Sequence, residues 1–352
     1  MSPEPISFFA RTIRGIESIG ASEIEQRCGA TIAEIRHREI RFQLDALKPE
    51  LTELGSVDDV FVTCGIVSEV DHTRAALTAL ATRSNRINFA DTIAPLSHVR
   101  NIPDNPNIDV VASFLGKRNY NRFEIEDTIA EVIRHQTRWS YTPQRERQSN
   151  LDLSFRIHLS DQEAIIGARL TSAPLHRRTY KIESRTGTLH PPLAFAMAML
   201  AKLAENQKLL DPFCGVGTIL IEAVTLEPRL RASGVDIDSE SIHKAISIAE
   251  TANKDIQFIT GDAGQLPFAG GEIDRVISNP PWGRAVGVRG SAKHSFFEEL
   301  KRVSAAGARI VLLLDAVDEH QAAIERNGFK LLQRTPVSLF GSWPEILVLD
   351  KQ

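Results

Sequence analysis

Leu209-Leu210-Asp211-Pro212-Phe213-Cys214-Gly215-Val216-Gly217-Thr218 decides how the chain is read. An apolar pair ends on an acid, a glycine-rich turn follows, and Thr218 leads into an apolar helical run to Leu226. Strand, glycine turn and helix in that order begin a parallel α/β unit, and the two glycines let a ligand come close to backbone at the strand's carboxyl end. The turn departs from the dinucleotide fingerprint G-x-G-x-x-G, because Leu220 stands where the third glycine would be. Asp211 would repel a pyrophosphate and suits a cationic group instead.

Outward from this turn, short apolar runs alternate with helical patterns. A proline-led apolar helix, Pro191–Ala204, precedes it. Strands are expected at Ala232–Asp236, Ile256–Thr260, Ile273–Ser278 and Ala308–Leu314, with helices at Glu240–Ala252, Ala292–Val303 and Val317–Arg326 between and after them. Phe329–Thr335 and Glu345–Asp350 read as two strands with a short connection. Such alternation predicts a doubly wound, mostly parallel sheet of seven strands, closed by an antiparallel C-terminal hairpin.

Acids recur at the ends of the strands. Asp236 ends the second, 25 residues after Asp211, where a carboxylate can bond a ribose hydroxyl pair. Its neighbour Ile237 suits the face of adenine. Gly261-Asp262-Ala263 ends the third, with a carboxylate for the adenine amino group. Each has a plainer alternative: Asp236 or Asp238 as the cap of the helix near Ser239, and Asp262 as a turn residue. Together they point to an adenosine with a positively charged, phosphate-free tail.

Ser278-Asn279-Pro280-Pro281-Trp282-Gly283 ends the fourth strand on the same rim. The two prolines stiffen the backbone, so that the Asn279 side-chain oxygen and the Pro280 carbonyl can accept both N–H bonds of a planar amine. Trp282 offers a face on which a heteroaromatic base stacks. A base inside a duplex could not reach such a site and would have to be extruded.

The first half is less regular. Strands are expected at Ser7–Thr12, Thr31–Arg36, Glu39–Leu44, Val60–Val70, Asp109–Leu115, Leu151–Leu159 and Ala164–Leu170, with helices at Ile16–Arg27, Thr73–Ala81 and Glu124–Arg138. Residues 85–107, with three prolines and several asparagines, read as irregular. The 352 residues, 42% hydrophobic and 24% charged, are ordinary globular material. No apolar run approaches a membrane span, and no secretion signal is apparent near Met1. Cys28, Cys64 and Cys214 are widely spaced, which suits the cytoplasm and gives no metal pattern. Net charge is −4, yet Arg134 to Arg185 holds ten basic against five acidic residues. That local excess reads either as a phosphate-binding surface or as uneven solvated charge.

The motifs at Asp211 and Asn279 make residues 188–352 resemble a class I S-adenosylmethionine methyltransferase of the Asn-Pro-Pro-aromatic, amino-group-modifying kind. The whole chain resembles the THUMP-domain RNA methyltransferases that make N2-methylguanosine in tRNA. Arg14-Gly15-Ile16-Glu17, the basic junction Leu175-His176-Arg177-Arg178-Thr179-Tyr180-Lys181, and Leu189-His190-Pro191-Pro192-Leu193-Ala194 carry that likeness. Thr179 and Trp282 depart from it, standing where glycine and tyrosine are commoner. The resemblance implies a ferredoxin-like domain over 1–75, a THUMP-like domain over 76–175, a basic linker over 176–187 and a catalytic domain over 188–352. It implies that Asp211, Phe213, Gly215 and Gly217 surround the methionine part of S-adenosylmethionine, with Thr218 and Ala263 also at the cofactor. Asp236 would take the ribose, Ile237 the adenine face and Asp262 the adenine amino group. Asn279, at the cofactor too, would hold guanine with Pro280, Pro281 and Trp282. Arg145, Arg147, Arg177, Arg178, Lys181 and Arg289 would contact RNA. The partner is then RNA, tRNA foremost, with no membrane and no metal, and the protein is a monomer. An rRNA guanine-N2 or adenine-N6 methyltransferase, a protein-glutamine methyltransferase and a non-catalytic RNA-binding protein are the alternatives.

Overall fold

A computed structural model describes residues 4–143, 145, 151–180, 188–281, 290–339 and 341–352, the side chains of 290–295 excepted. Close contacts divide the chain into two units: Met1–Thr12 with Ala21–Leu175, and Ile13–Gly20 with His176–Gln352.

The first unit contains β1 (Ile6–Arg11), most of α1 (Glu17–Cys28), β2 (Thr31–Arg36), β3 (Glu39–Leu44), β4 (Asp59–Ser68), α2 (Ala75–Ser84) and α3 (Phe89–Ile93). It continues with β5 (Asn107–Phe114), α4 (Arg122–Thr137), β6 (Ser140–Tyr141), β7 (Leu153–Ser160) and β8 (Glu163–Arg169). These strands make one sheet in the order β2-β3-β1-β4-β8-β7-β5-β6. The stretches 1–75 and 76–175 therefore share a sheet, joined where β4 and β8 pair antiparallel from Phe61↔Arg169 to Ser68↔Glu163. One core, with Phe8, Phe42, Leu80, Ile129 and Phe155, runs beneath it. The 85–107 stretch is not wholly irregular. The Asn88 side chain caps α3 by accepting from the Asp91 N–H at 3.2 Å, and Phe89 anchors that short helix in the core.

The second unit contains α5 (Pro191–Leu200), β9 (Lys208–Asp211), α6 (Thr218–Leu226), β10 (Arg231–Asp236), α7 (Ser239–Thr251) and β11 (Ile256–Thr260). β12 (Ile273–Ser278), α8 (Gly290–Val303), β13 (Ser304–Leu314), α9 (Gln321–Arg326), β14 (Phe329–Pro336) and β15 (Glu345–Lys351) follow. The sheet order is β11-β10-β9-β12-β13-β15-β14; the first five strands are parallel, and β15 runs antiparallel to both of its neighbours. This is the doubly wound sheet with a closing hairpin that the alternation predicts. Both faces are covered, and successive strand residues divide between two cores. Leu209, Ile277, Val311 and Leu313 face α5 and α6, whereas Leu210, Val276, Ile310 and Leu312 face α8.

Ile13–Gly20 departs from the expected division, because it belongs to this second unit. Ile13, Ile16 and Ile19 are buried in one core with Leu193, Val337 and Leu339. The Ser338 N–H donates to the Arg14 carbonyl at 2.9 Å. Gly15 takes φ +107°, and a Cβ there would come within 2.1 Å of the Pro336 carbonyl oxygen. Among the described residues no helix is long and apolar enough to cross a membrane.

Candidate active site

The order of the parallel strands reverses at β9, which has β10 on one side and β12 on the other. In open α/β sheets a crevice forms at such a point, outside the strands' carboxyl ends. Asp211 ends β9 there and is 1% exposed. Its Oδ1 accepts the Ser278 hydroxyl at 2.6 Å and the Phe213 N–H at 3.1 Å. Its Oδ2 is buried with no hydrogen-bond partner among the described residues. Burial pushes this carboxyl up to about 7, against the opposing Ser278 and Phe213 bonds and with a smaller push from Asp236. A carboxylate with one saturated and one vacant oxygen is set to receive a cation.

The neighbouring turns are tied together. The Gly215 N–H donates to Asp236 Oδ2 at 2.8 Å, and the Asp238 N–H to Asp236 Oδ1 at 2.9 Å. Asp236 thus braces the glycine turn, with lone pairs left over on both oxygens. The helix-capping alternative falls to Asp238, whose side chain accepts from the Glu240 N–H at 3.2 Å and the Ser241 hydroxyl at 2.8 Å. Gly215 has φ +52° and open space where a Cβ would be, whereas a Cβ on Gly217 (φ +82°) would meet the Phe258 ring at 2.9 Å. Gly215 leaves room for a ligand; Gly217 lets α6 pack. Thr218 is buried as the first residue of α6. Ile237 is 75% exposed. Asp262 is exposed and accepts the Gly264 N–H at 2.8 Å, which makes it a turn residue with one oxygen to spare. Ala263 sits in the α8-side core with Val235 and Leu210, so its side chain is a packing group.

Asn279 leaves β12 directly after Ser278, the residue whose hydroxyl bonds Asp211. Its Oδ1 is also buried and without a partner among the described residues. Pro280 is buried and Pro281 half-buried. Phe213 turns its ring edge toward Phe296 of α8, with centroids 5.1 Å apart, and holds the glycine turn against that core. Trp282 lies outside the described residues.

Residues 178–343 match the RMKL-like methyltransferase domain. A tRNA (guanine(6)-N2)-methyltransferase of Thermus thermophilus is 34% identical over 56% of this chain and 59% of its own length. The U6 snRNA (guanine-N(2))-methyltransferase THUMPD2 of Bos taurus is 32% identical over 49% of this chain and 34% of its own length. The chain thus spans well under two thirds of each of these two relatives. A tRNA (guanine(6)-N2)-methyltransferase of Archaeoglobus fulgidus is similar over 97% of the chain and 92% of its own length, at 23% identity. In fold, TrmN from Thermus thermophilus superposes with a TM-score of 0.79 at 24% identity, covering 99% of this chain and 100% of that one.

At the front of the second unit the basic junction is only partly a surface. Arg178 Nε and Nη2 reach the Glu222 carboxylate of α6 at 2.9 and 3.2 Å, and the Tyr180 hydroxyl donates to the same group at 2.5 Å. Glu222 is 2% exposed and Arg178 16% exposed at the side chain. Tyr180 also packs against Val216 of the glycine turn. The expected phosphate contact at Arg178 is therefore corrected: its guanidinium neutralises a buried acid and fastens the junction to α6. Arg177 is exposed. Arg145, in the other unit, is exposed and pairs with Asp127 at 3.3 Å. Arg147, Lys181 and Arg289 lie outside the described residues. Ser278, Tyr180 and Glu222 went unassigned in the sequence. Glu222 carried a signal, as the lone acid in the apolar run Thr218–Val224.

Proposed function

We propose that this protein transfers a methyl group from S-adenosylmethionine to the exocyclic N2 amine of a guanosine in tRNA. The observation that carries the reading is the pair of buried oxygens without a partner among the described residues, Asp211 Oδ2 and Asn279 Oδ1, on adjacent strand ends bridged by Ser278. One suits an ammonium group and the other an amine, and the guanine-N2 specificity in the relatives' names agrees with the second.

Bound S-adenosylmethionine supplies an electrophilic methyl on a sulfonium. The chain's own residues bind and orient. Asp211 Oδ2 holds the cationic amino group, Asp236 takes the ribose hydroxyls with its remaining lone pairs, and Ile237 covers the adenine. Asp262 accepts from the adenine amino group. Asn279 Oδ1 and the Pro280 carbonyl accept the two N–H bonds of the guanine amine and aim its lone pair. Asn279 is uncharged, so it holds these protons and removes none, and the proton that the methylated amine sheds passes to solvent. Such positioning is worth roughly 7–11 kcal/mol of barrier in favourable cases. The first unit, as a ferredoxin-like and THUMP-like pair, grips the RNA through shape and phosphates, with Arg145 among its contacts, and Arg177 of the second unit adds another. The working place is the cytoplasm.

The test is incubation of the purified protein with methyl-labelled S-adenosylmethionine and tRNA from a strain lacking it, followed by nucleoside mass spectrometry. Labelled N2-methylguanosine is expected. Label in N6-methyladenosine, or in protein alone, would overturn the assignment.

A further inference from the structure

The turn between β14 and β15 carries Trp343, half of whose surface is exposed. The Arg14 guanidinium lies over its ring, 4.5 Å from the centroid, and Arg14 is itself exposed. Both residues are held by backbone rather than by chance packing. The Ser338 N–H bonds the Arg14 carbonyl, and the Val337 N–H bonds the Pro344 carbonyl, each at 2.9 Å. Gly15 can approach the Pro336 carbonyl only because it lacks a Cβ.

Strand register places this pair on the working rim. Ser278 pairs with Leu312, Leu312 with Leu347, and Leu314 with Glu345. β15 is antiparallel to β13, so Trp343, two residues before Glu345, lies beyond the carboxyl end of β13. Asn279 lies beyond the carboxyl end of β12, two strands away, or about 10 Å across the sheet. An aromatic plate and a cation sharing the edge with Asn279 match what an unpaired nucleotide needs: a face to stack on and a charge for its phosphate. A nucleotide drawn out of a stack leaves its neighbours without one partner, and such a platform replaces it.

We propose that Trp343 and Arg14 form a stacking subsite for an unpaired RNA nucleotide flanking the one presented to Asn279. The inference rests on the RNA-methylating reading above but is tested separately. The probe is tRNA from a strain lacking the protein, bound to the full chain in a filter assay across a salt series. Trp343→Ala should weaken binding about tenfold or more. Trp343→Phe should stay within about threefold of wild type, because a phenyl ring still stacks. Arg14→Gln should weaken binding and lower the salt slope by about one. Sinefungin affinity should hold in all three variants, which shows that the methyltransferase domain is intact. tRNA quenching of tryptophan fluorescence should shrink in Trp343→Phe. Wild-type tRNA affinity in Trp343→Ala would overturn the subsite, even with N2-methylguanosine formed normally. Conversely, wild-type protein that binds tRNA through Trp343 but methylates none of it would overturn the proposed reaction and leave the subsite standing.

Discussion

The Ser278 hydroxyl donates to Asp211 Oδ1 at 2.6 Å, joining the ends of β12 and β9 across the point where strand order reverses. This bond fixes one carboxylate oxygen, while the other has no partner among the described residues. The bond also ties Asp211 to Ser278, the residue before Asn279. Ser278→Ala would remove the side-chain donor, leaving the Phe213 N–H to hold Asp211 and raising that carboxyl further. A loss of about 1–2 kcal/mol in urea unfolding is expected, with weaker binding of S-adenosylmethionine in calorimetry near neutral pH.

Asp211 also makes binding pH-dependent. Its folded-state pKa, about 7, lies above the ordinary carboxyl range because of burial. A raised pKa means stability that is full at low pH, declines as unfolded chains ionise near 4, and is fully lost once pH passes about 7. A cationic ligand favours the ionised form, so its affinity should climb as pH rises toward about 7 and level off above. Calorimetry between acid and mild alkali checks this. Asp211→Asn should bind weakly and without that slope, while gaining stability at alkaline pH relative to the parent protein.

Asn279 has a different signature. Asn279→Ala should cut kcat by about 10²–10³-fold, the scale seen when one fixed hydrogen-bonding group is removed from a transition state. Binding of S-adenosylmethionine should change by only a few-fold. Single-turnover methylation at saturating tRNA measures the first, and calorimetry the second; an unchanged single-turnover rate would remove Asn279 from the chemistry.

Arg177 and Arg178 are adjacent in sequence and separable in role. Arg178→Ala leaves Glu222 buried beside Tyr180 with its cation gone, and should destabilise the protein by about 3 kcal/mol. Arg177→Ala should leave unfolding unchanged, weaken tRNA binding and lower the salt slope by about one. Equal loss of stability in both variants would contradict this division.

What was legible in the sequence was local. Strand–helix alternation from Leu209 to Leu314 sufficed for the parallel sheet, because its central strands β9, β12 and β13 carry short apolar runs buried on both faces. The rim acids could be found because such sheets bind ligands at strand ends. Pairings between distant residues were hidden. The β4–β8 pairing joins Phe61 to Arg169, so the shared first sheet could not be read from segment order. Arg178 looked like surface charge until Glu222, 44 residues away, appeared beneath it. Asp236 had two candidate partners, and the Gly215 N–H that it braces was neither. Ile13–Gly20 opens what looks like an N-terminal domain, yet its isoleucines serve the core beneath Val337 and Leu339.

That last placement gives a test through two glycines. Gly15 and Gly217 both have positive φ, so an alanine at either is strained, by an amount on the order of 1–3 kcal/mol. Their surroundings differ. At Gly217 the added methyl meets the edge of the Phe258 side chain, which can tilt; at Gly15 it meets the Pro336 carbonyl and the Val337 Cα, which belong to the hairpin backbone. Gly15→Ala must therefore push the Arg14–Ile16 turn off the β14–β15 connection and open the core around Ile13, Ile16 and Val337. It should cost more stability than Gly217→Ala in urea unfolding, although residue 15 lies far from the glycine turn in sequence. The two should also separate in binding: Gly217→Ala should weaken S-adenosylmethionine, because it distorts the start of α6, whereas Gly15→Ala should weaken tRNA in conditions where both proteins are folded. An alanine tolerated at residue 15 without loss of stability would mean that Ile13–Gly20 is not seated in the second unit.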